Sequence, residues 1–333
     1  MNTVFRATLI GCLLPAVLSQ PAQAEWSLTT RGTFFYTSDA SLFTASQRLS
    51  RDADPTQPAL DTRLTRQGSD GVFETTAQVT KTLESSLGKT SFDLRGDGFV
   101  FFDQTRYSNG NLGIQAKQDF PSNTKVMVRY YYNPDLFLGD NLERRSGNSR
   151  IAPERVTSQI GAMHLAQELT DGLELRVFTR YGTRRYNSDF AQRNTNFWTI
   201  GPHLDWKVLS NVKLGLAYHY ERGLADGHNQ PSYGDDVSYT NNFASAEVEI
   251  ELTECLAISL GFDYEHNQWL SRLEEDERNG SYEEVYLGEF LMIYKASEMF
   301  SFHAGMQYGS RKINLEPDAV TNANIGLGAK AFF

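Results

Sequence analysis

The sequence has little cysteine. Two cysteines occur among its 333 residues. Cys12 lies in an apolar amino-terminal stretch that we expect to be removed, so Cys255 is the cysteine expected in the mature chain. A single thiol forms no internal disulfide, and it lacks the clustered ligands that a structural zinc site needs. We therefore predict no disulfide framework, no metal and no cofactor.

The chain also lacks a long apolar segment and an excess of positive charge. After residue 24, no window approaches the run of about 18 apolar residues that indicates a membrane-spanning helix. The 31 basic and 41 acidic residues give a formal net charge of −10. Nucleic-acid binding depends on neutralising phosphates with Lys and Arg, so an acidic chain argues against that partner. These features exclude a helical membrane protein and leave open a soluble exported protein and one other class.

The first residues have the composition of a secretory signal. One early arginine is followed by an apolar stretch over 7–18 and by an Ala-x-Ala site that ends at Ala24. This layout predicts a signal peptide over residues 1–24. The apolar stretch is shorter than the roughly 20 residues that a membrane-spanning helix needs. Residues 9–12 offer an alternative lipoprotein cleavage site, but cleavage there would leave an apolar region of only a few residues.

A repeated pattern of short polar turns and alternating residues follows. In one example, Leu173, Leu175 and Val177 alternate with charged or aromatic residues after the turn Leu-Thr-Asp-Gly. A period of two is the period of a β-strand. Six segments share this form: 85–94, 120–130, 169–178, 209–218, 252–262 and 296–306. Each turn joins two strands, and many runs of alternation exceed the five or six residues that are typical of globular sheets.

Long polar segments separate the other ends of these strands. They are 41–71, 133–155, 187–193, 224–237, 267–281 and 311–322. Short turns at one end and long loops at the other are typical of a transmembrane β-barrel. A first strand at 26–37 and a last strand at 324–333 bring the expected number to about fourteen. The irregular segment 103–119 leaves twelve or sixteen open.

We therefore predict one all-β domain over residues 25–333, an antiparallel up-and-down barrel. The alternative is a soluble β-sandwich with one wet face per sheet. A sandwich seldom needs a dozen strands of this length, so the barrel is favoured. In a barrel, the leucines and valine of 173–177 face lipid while the neighbouring arginines face water.

The carboxyl terminus carries a resemblance to a known class. The chain ends at Phe333, after Ile325, Leu327 and Ala329 on alternate positions. Here the sequence resembles bacterial outer-membrane barrel proteins, whose last strand and terminal Phe act as the assembly signal. Ala331 departs from the aromatic residue often found two places before that Phe. In architecture, the chain is most similar to monomeric OmpG-type porins, with the smaller, arginine-lined oligogalacturonate porins as a more distant likeness.

This resemblance implies a location and partners. The expected location is the outer membrane of a Gram-negative bacterium, where the barrel would contact lipid and lipopolysaccharide. The barrel-assembly machinery would recognise the last strand through Phe333. Aromatic residues near strand ends, such as Trp198 and Tyr220, would lie at the headgroup level.

The residues predicted to face the lumen are charged, and their signs are unevenly placed. The predicted basic wall comprises Arg95, Lys125, Arg129, Arg176, Arg180 and Arg184, with Lys117 nearby. The predicted acidic wall comprises Glu247, Glu249, Glu251, Asp263 and Glu265. Opposed walls of this kind would order polar solutes by charge. The alternative is that any wet lumen is charged and that the two walls merely neutralise each other.

Two loops invite a functional interpretation. The segment 41–71 is long enough to fold inward as a gate, although its composition suits disorder equally well. The acidic run 273–278 could bridge cations to lipopolysaccharide. A solvated loop is the favoured interpretation of that run, because charge runs usually serve solubility.

Enzyme motifs of outer-membrane barrels are incomplete. The phospholipase family pairs a His with a Ser two places later before Asn-Gly; here 108–110 reads Ser-Asn-Gly, but Arg106 occupies the place of the base. The barrel proteases use an Asp/His pair with an Asp pair. The nearest candidates are Asp263 with His266, and Asp235–Asp236 with His228. Their spacing does not match, and the six histidines are scattered, so we predict no catalytic residues.

The sequence thus predicts an outer-membrane channel for the passive passage of small hydrophilic solutes through a charge-segregated lumen. The alternative function is a non-conducting barrel that serves an export or electron-transfer complex as its outer-membrane partner. In that case another protein would fill the lumen.

Overall fold

The computed structural model describes residues 24–43, 68–144 and 150–333. In these ranges the chain forms fourteen antiparallel strands in one closed barrel. They are β1 (Ala24–Thr37), β2 (Asp70–Ser85), β3 (Gly88–Phe101), β4 (Asn109–Asp119), β5 (Thr124–Glu143), β6 (Arg150–Thr170), β7 (Leu173–Tyr186), β8 (Thr195–Leu209), β9 (Val212–Ala225), β10 (Tyr239–Glu251), β11 (Leu256–Trp269), β12 (Tyr282–Lys295), β13 (Phe300–Ile313) and β14 (Val320–Phe332). Short 3₁₀ helices span Thr105–Tyr107 and Ser188–Arg193. The predicted all-β barrel of about fourteen strands is confirmed.

The first and last strands close the barrel. β1 pairs with β14 from Thr29 opposite Phe332 to Thr37 opposite Asn324. Beyond that ladder, the backbone N–H of Phe333 donates to the carbonyl of Leu28 at 2.8 Å, and Leu28 returns the same bond to Phe333. Closure removes the unpaired edge that an open sheet would expose. Phe333 thus completes the seam, and its role as an assembly signal stays a prediction.

Alternate residues of each strand form the outer and the inner face of the barrel wall. Large apolar side chains such as Leu175, Val177 and Leu216 are exposed on the outside of the barrel. Between them, Arg176 and Arg180 point inward and bind other polar side chains. An outer surface this apolar is stable against lipid and unstable against water. In the described ranges, no helix is long and apolar enough to cross a membrane.

The hairpin of β5 and β6 extends beyond its neighbours. The segment 133–155, predicted as a loop, is mostly strand, because β5 has 20 residues and β6 has 21. The register shifts after Asn133 and again after Phe137. These irregularities break the alternation, which explains why the sequence pattern indicated a loop. The irregular segment 103–119 contains β4, which starts only at Asn109.

An apolar group of residues fills the barrel interior at the end that carries the long loops, here called the loop end. This aromatic cluster comprises Ala40, Phe43, Val72, Phe99, Phe101, Tyr107 and Phe137. Phe43 contacts Phe101 edge-on at a ring-centroid distance of 5.7 Å, and Tyr107 contacts Phe137 at 5.1 Å. Burial raises the pKa of Tyr107 to about 12, so the phenol is neutral there.

Two predicted segments lie largely outside the described residues. The predicted signal peptide is one, apart from Ala24, which begins β1. The predicted gating loop 41–71 is the other, with 44–67 outside the description. Its described start is held inside the barrel, where the backbone N–H and the hydroxyl of Ser41 both donate to Asp39.

Candidate functional site: the barrel lumen

The predicted basic residues face the lumen, and most of them contact a carboxylate on the same strand or a nearby one. Arg95 lies 2.9 Å from Asp97 on its own strand. Arg176 lies 2.7 Å from Asp205 on the next strand. Lys125 donates to Glu174 at 2.5 Å, and Lys117 to Asp119 at 3.0 Å. Their charges are therefore compensated locally.

Arg180 and Arg184 belong to a buried hydrogen-bond network around Glu221. The carboxylate of Glu221 accepts from Arg180 at 2.7 Å, from Thr199 at 2.5 Å and from Tyr239 at 2.5 Å. Arg184 lies 3.7 Å from the same carboxylate. A buried carboxylate is stable only with such partners. These residues brace the wall between β7 and β10.

Two of the predicted acidic residues lie at the end of the barrel that carries the short turns, here called the turn end. Glu249 and Glu251 are near the end of β10, where Lys213 lies 2.9 Å from the first and 3.6 Å from the second. The side chains of Lys213, Glu249 and Glu251 are 53%, 32% and 45% exposed. They form part of the rim at this end.

The other predicted acidic residues lie deeper. Glu247 accepts from the hydroxyl of Ser259 at 2.5 Å, and Asp263 and Glu265 are buried on β11. Together with Glu247, they give β10 and β11 an acidic inner face. Acids also face the lumen on and beside the basic strands, namely Glu174 on β7, Asp205 on β8 and Glu221 on β9. The division into two walls stays a prediction.

Arg129 differs from the other inward-facing arginines of the strands. Arg31, Arg95, Arg176, Arg180, Arg184 and Arg311 each lie within ion-pair distance of a carboxylate. Arg129 donates instead to the side-chain oxygen of Gln115 and, at 2.8 Å, to the hydroxyl of Tyr131. Among the described residues it has no carboxylate within ion-pair distance. Its positive charge is therefore held by neutral groups.

A cavity of about 900 Å³ occupies the lumen beside Arg129. Its wall comes from β1 to β5 and from β12 to β14. At the turn end it reaches the exposed residues Lys295, Ser297 and Glu298. At its other end it reaches Phe35 and Phe99, at the edge of the aromatic cluster. The cavity thus runs from the turn end up to the packed loop end.

Three of the six histidines, although distant in sequence, converge in the lumen. The Nε2 atoms of His203 and His219 lie 2.5 Å apart. The ring of Phe178 contacts His219 at a centroid distance of 4.3 Å and His164 at 5.5 Å. Sequence reasoning treated the histidines as scattered, and for these three it was wrong. No group of three or more His, Cys, Asp or Glu residues in the described ranges has metal-binding geometry.

Charged residues from three loops and one strand meet at the loop end. This loop cluster comprises Glu154, Arg193, Asp235, Asp276 and Arg278. Arg193 lies 2.8 Å from both Glu154 and Asp235, and Arg278 lies 2.9 Å from both Asp235 and Asp276. Every one of these side chains is at most 3% exposed. The cluster therefore fastens the loops to one another and to β6.

Asp235 is the centre of the loop cluster. Burial alone would raise the pKa of this carboxyl, but the neighbouring Arg193 and Arg278 outweigh burial and hold its pKa well below the usual range. Asp235 is thus ionised at any physiological pH. The interpretation of 273–278 as a solvated loop is wrong for Asp276 and Arg278, because both are buried in the cluster.

The candidate enzyme residues are placed as follows. Ser108 accepts a hydrogen bond from the backbone N–H of Phe101. Asp263 is buried toward the lumen, whereas His266 lies on the outward side and contacts the ring of Tyr282. His228 does meet Asp236, at 2.9 Å. The carboxylate of Asp236 is fully buried beneath the loops, whereas the side chain of His228 is 29% exposed.

Solved structures of outer-membrane proteins share this fold. The outer membrane channel DcaP of Acinetobacter baumannii aligns with a TM-score of 0.50 and 12% identity, over 94% of this chain and 97% of that one. An anion-selective porin from Comamonas acidovorans gives 0.48 and 8% over 94% and 100%. OmpT of Vibrio cholerae gives 0.49 and 9% over 95% and 99%. No protein-family model and no curated protein matches the sequence.

At such low identity, the likeness shows the fold and leaves the function open. The chain has the architecture of bacterial outer-membrane β-barrels, with an apolar exterior suited to that membrane. The resemblance in architecture to outer-membrane β-barrel proteins and the outer-membrane location expected from the sequence are confirmed, and the likeness to OmpG-type porins in particular stays a prediction. The comparisons do not decide between a channel and an enzyme.

Proposed function

We propose that the protein is a channel for the passive passage of small hydrophilic solutes across the outer membrane. The observation that carries the proposal is the cavity of about 900 Å³, which is lined by charged, amide and apolar side chains and extends to the exposed turn end. In outer-membrane barrels the short turns face the periplasm. The cavity would therefore be a periplasmic vestibule of the channel.

In this proposal the described structure corresponds to a closed channel. The aromatic cluster and the loop cluster pack the loop end, which would face the outside of the cell. Opening would require the loops to separate from the wall, with Glu154 of β6 as their attachment point. The charged lumen beneath would then order solutes by charge.

Planar-bilayer recording of the purified protein tests the proposal. We expect discrete open steps. Replacing Arg176, a partly exposed lumen residue, by Glu should shift the reversal potential toward cation selectivity. The matched control is Arg222→Glu, which changes the same charge on the exposed outer face and should leave selectivity unchanged. Both variants should first be shown to migrate as folded barrels on unheated gels.

The filled loop end favours a second candidate, a non-conducting barrel that acts as a partner of an export or electron-transfer complex. Two results separate the candidates. Open steps whose ion selectivity changes in the Arg176→Glu variant support the channel. A protein that stays silent even when the loop cluster is broken by Arg193→Gln contradicts the channel and supports the partner role.

A further inference from the structure

Arg129 is held so that part of its guanidinium stays available. The group carries five N–H donors. Its Nε–H donates to Gln115, and one Nη1–H donates to the Tyr131 hydroxyl. The remaining donors belong to a side chain that lines the cavity together with Gln115 and Tyr131. The side chain is partly exposed there.

Gln115 lies between Arg129 and the carboxylate of Asp93. The amide nitrogen of Gln115 donates to Asp93 at 2.6 Å, while its oxygen accepts from Arg129. Asp93 accepts two further bonds, from Gln78 at 3.2 Å and Thr80 at 2.5 Å. The carboxylate of Asp93 therefore accepts hydrogen bonds from neutral donors. The positive charge of Arg129 can then bind a ligand.

Tyr131 supports this guanidinium through its hydroxyl and its ring. Tyr131 lies against Gly113, where a Cβ would be 3.6 Å from the ring. The guanidinium carbon of Arg129 sits 6.0 Å from the centre of that ring. A planar cation supported in this way is oriented for bidentate binding of a carboxylate.

The polar part of the cavity lining suits hydroxyl groups. Its lining includes the side chains of Gln78, Asn111, Glu289, Gln307 and Asn324. Amide and carboxylate groups of this kind bind hydroxyls as donors and acceptors. Resting on the proposed function, which supplies the solute, we propose that the cavity binds a small polyhydroxylated carboxylate, with its carboxylate on Arg129.

The test is equilibrium binding in detergent, which does not require an open channel. Gluconate and the neutral glucose serve as probes, and saturation-transfer NMR gives their dissociation constants. We expect gluconate to bind more tightly than glucose by about tenfold or more, the contribution of a charge-assisted hydrogen-bonded pair. Arg129→Gln should remove this difference.

Gln115→Glu is the second variant: it keeps the shape of the side chain and replaces the amide that donates to Asp93 by a carboxylate, so that Arg129 would be drawn to neutralise the two adjacent acids. It should also abolish the preference for gluconate. Arg222→Gln removes an equal charge from the outer surface and should leave the preference intact. A preference for gluconate that survives both Arg129→Gln and Gln115→Glu in folded barrels overturns the proposal, as does equal binding of the two probes to the unaltered protein.

The two proposals fail in different ways. Selective gluconate binding without any conductance contradicts the passive channel and supports the binding site. Conductance without selective binding contradicts the site and leaves the channel supported.

Discussion

At the scale of single residues, the lumen accommodates large rings by placing them over glycines of the neighbouring strand. Phe197 on β8 lies over Gly182 on β7, where an added Cβ would overlap the edge of the ring and lie 2.9 Å from Ile160. The same ring lies under the guanidinium of Arg184 at 4.1 Å. The alternating pattern predicts which way each side chain points, but it does not predict which ring meets which glycine.

Gly182→Ala should therefore destabilise the barrel. The added methyl group must displace the ring of Phe197 in a packed wall, and overpacking of this kind costs about 1–3 kcal/mol. Urea unfolding of the barrel in phospholipid vesicles measures the change in free energy. Gly161→Ala on the adjoining strand is the matched control, because nothing lies within 4 Å of its added Cβ. Equal stability of the two variants would contradict this packing argument.

At the scale of whole elements, strands were predictable from the sequence and loops were not. The first strand was expected at 26–37 and is Ala24–Thr37, because alternation against lipid and water leaves a period of two. The bulged ends of β5 and β6 lose that period, so their sequence indicates a loop where the structure has strands. The segment between β11 and β12, which contains Asp276 and Arg278, shows no periodic pattern. Their burial depends on Asp235, about 40 residues earlier in the chain, which no local pattern reveals.

The same difference limits the prediction of the site. The inward direction of Arg129 follows from alternation, whereas its neutral partners depend on the register of β4 and β5, which places Gln115 opposite Arg129. The convergence of His164, His203 and His219 likewise depends on the order of four strands around Phe178.

The loop cluster makes a prediction about the movement of whole loops. Arg193→Gln removes the charge that joins Glu154 to Asp235 and leaves Glu154 buried without that partner. Breaking a buried ion pair costs about 3–5 kcal/mol. We expect faster hydrogen exchange in the segments around 193 and 235, and a higher open probability in bilayers.

Arg150→Gln is the control for the loop cluster. Arg150 also forms ion pairs, with Asp189 at 2.7 Å and with the buried Glu143 at 3.6 Å, but its own side chain is 57% exposed. Exposed pairs contribute about 0–1 kcal/mol, so its loss should change neither loop exchange nor opening. A similar response of both variants would show that burial of the loop cluster does not hold the loops closed.

At the scale of the whole molecule, the closed barrel is a single wall with an apolar outer face suited to lipid and a polar lumen. Two adjacent residues of β2 sample both sides. Val79 is exposed on the outer face, where its register partners are Leu28 and Leu94. Gln78 lines the cavity and donates to Asp93. The barrel should therefore tolerate an arginine at position 78 and be destabilised by an arginine at position 79.

Val79→Arg should cost about 2–4 kcal/mol in a bilayer, the usual penalty for an arginine facing the middle of the membrane. Gln78→Arg should cost much less, because the new guanidinium would point into the polar cavity toward Asp93. Unfolding midpoints of the two variants in vesicles give the comparison. In a detergent-free soluble protein, Val79→Arg would instead be the milder change, since water would hydrate the outer face. That reversed order would remove the basis for a lumen, and with it both the channel and the carboxylate site at Arg129.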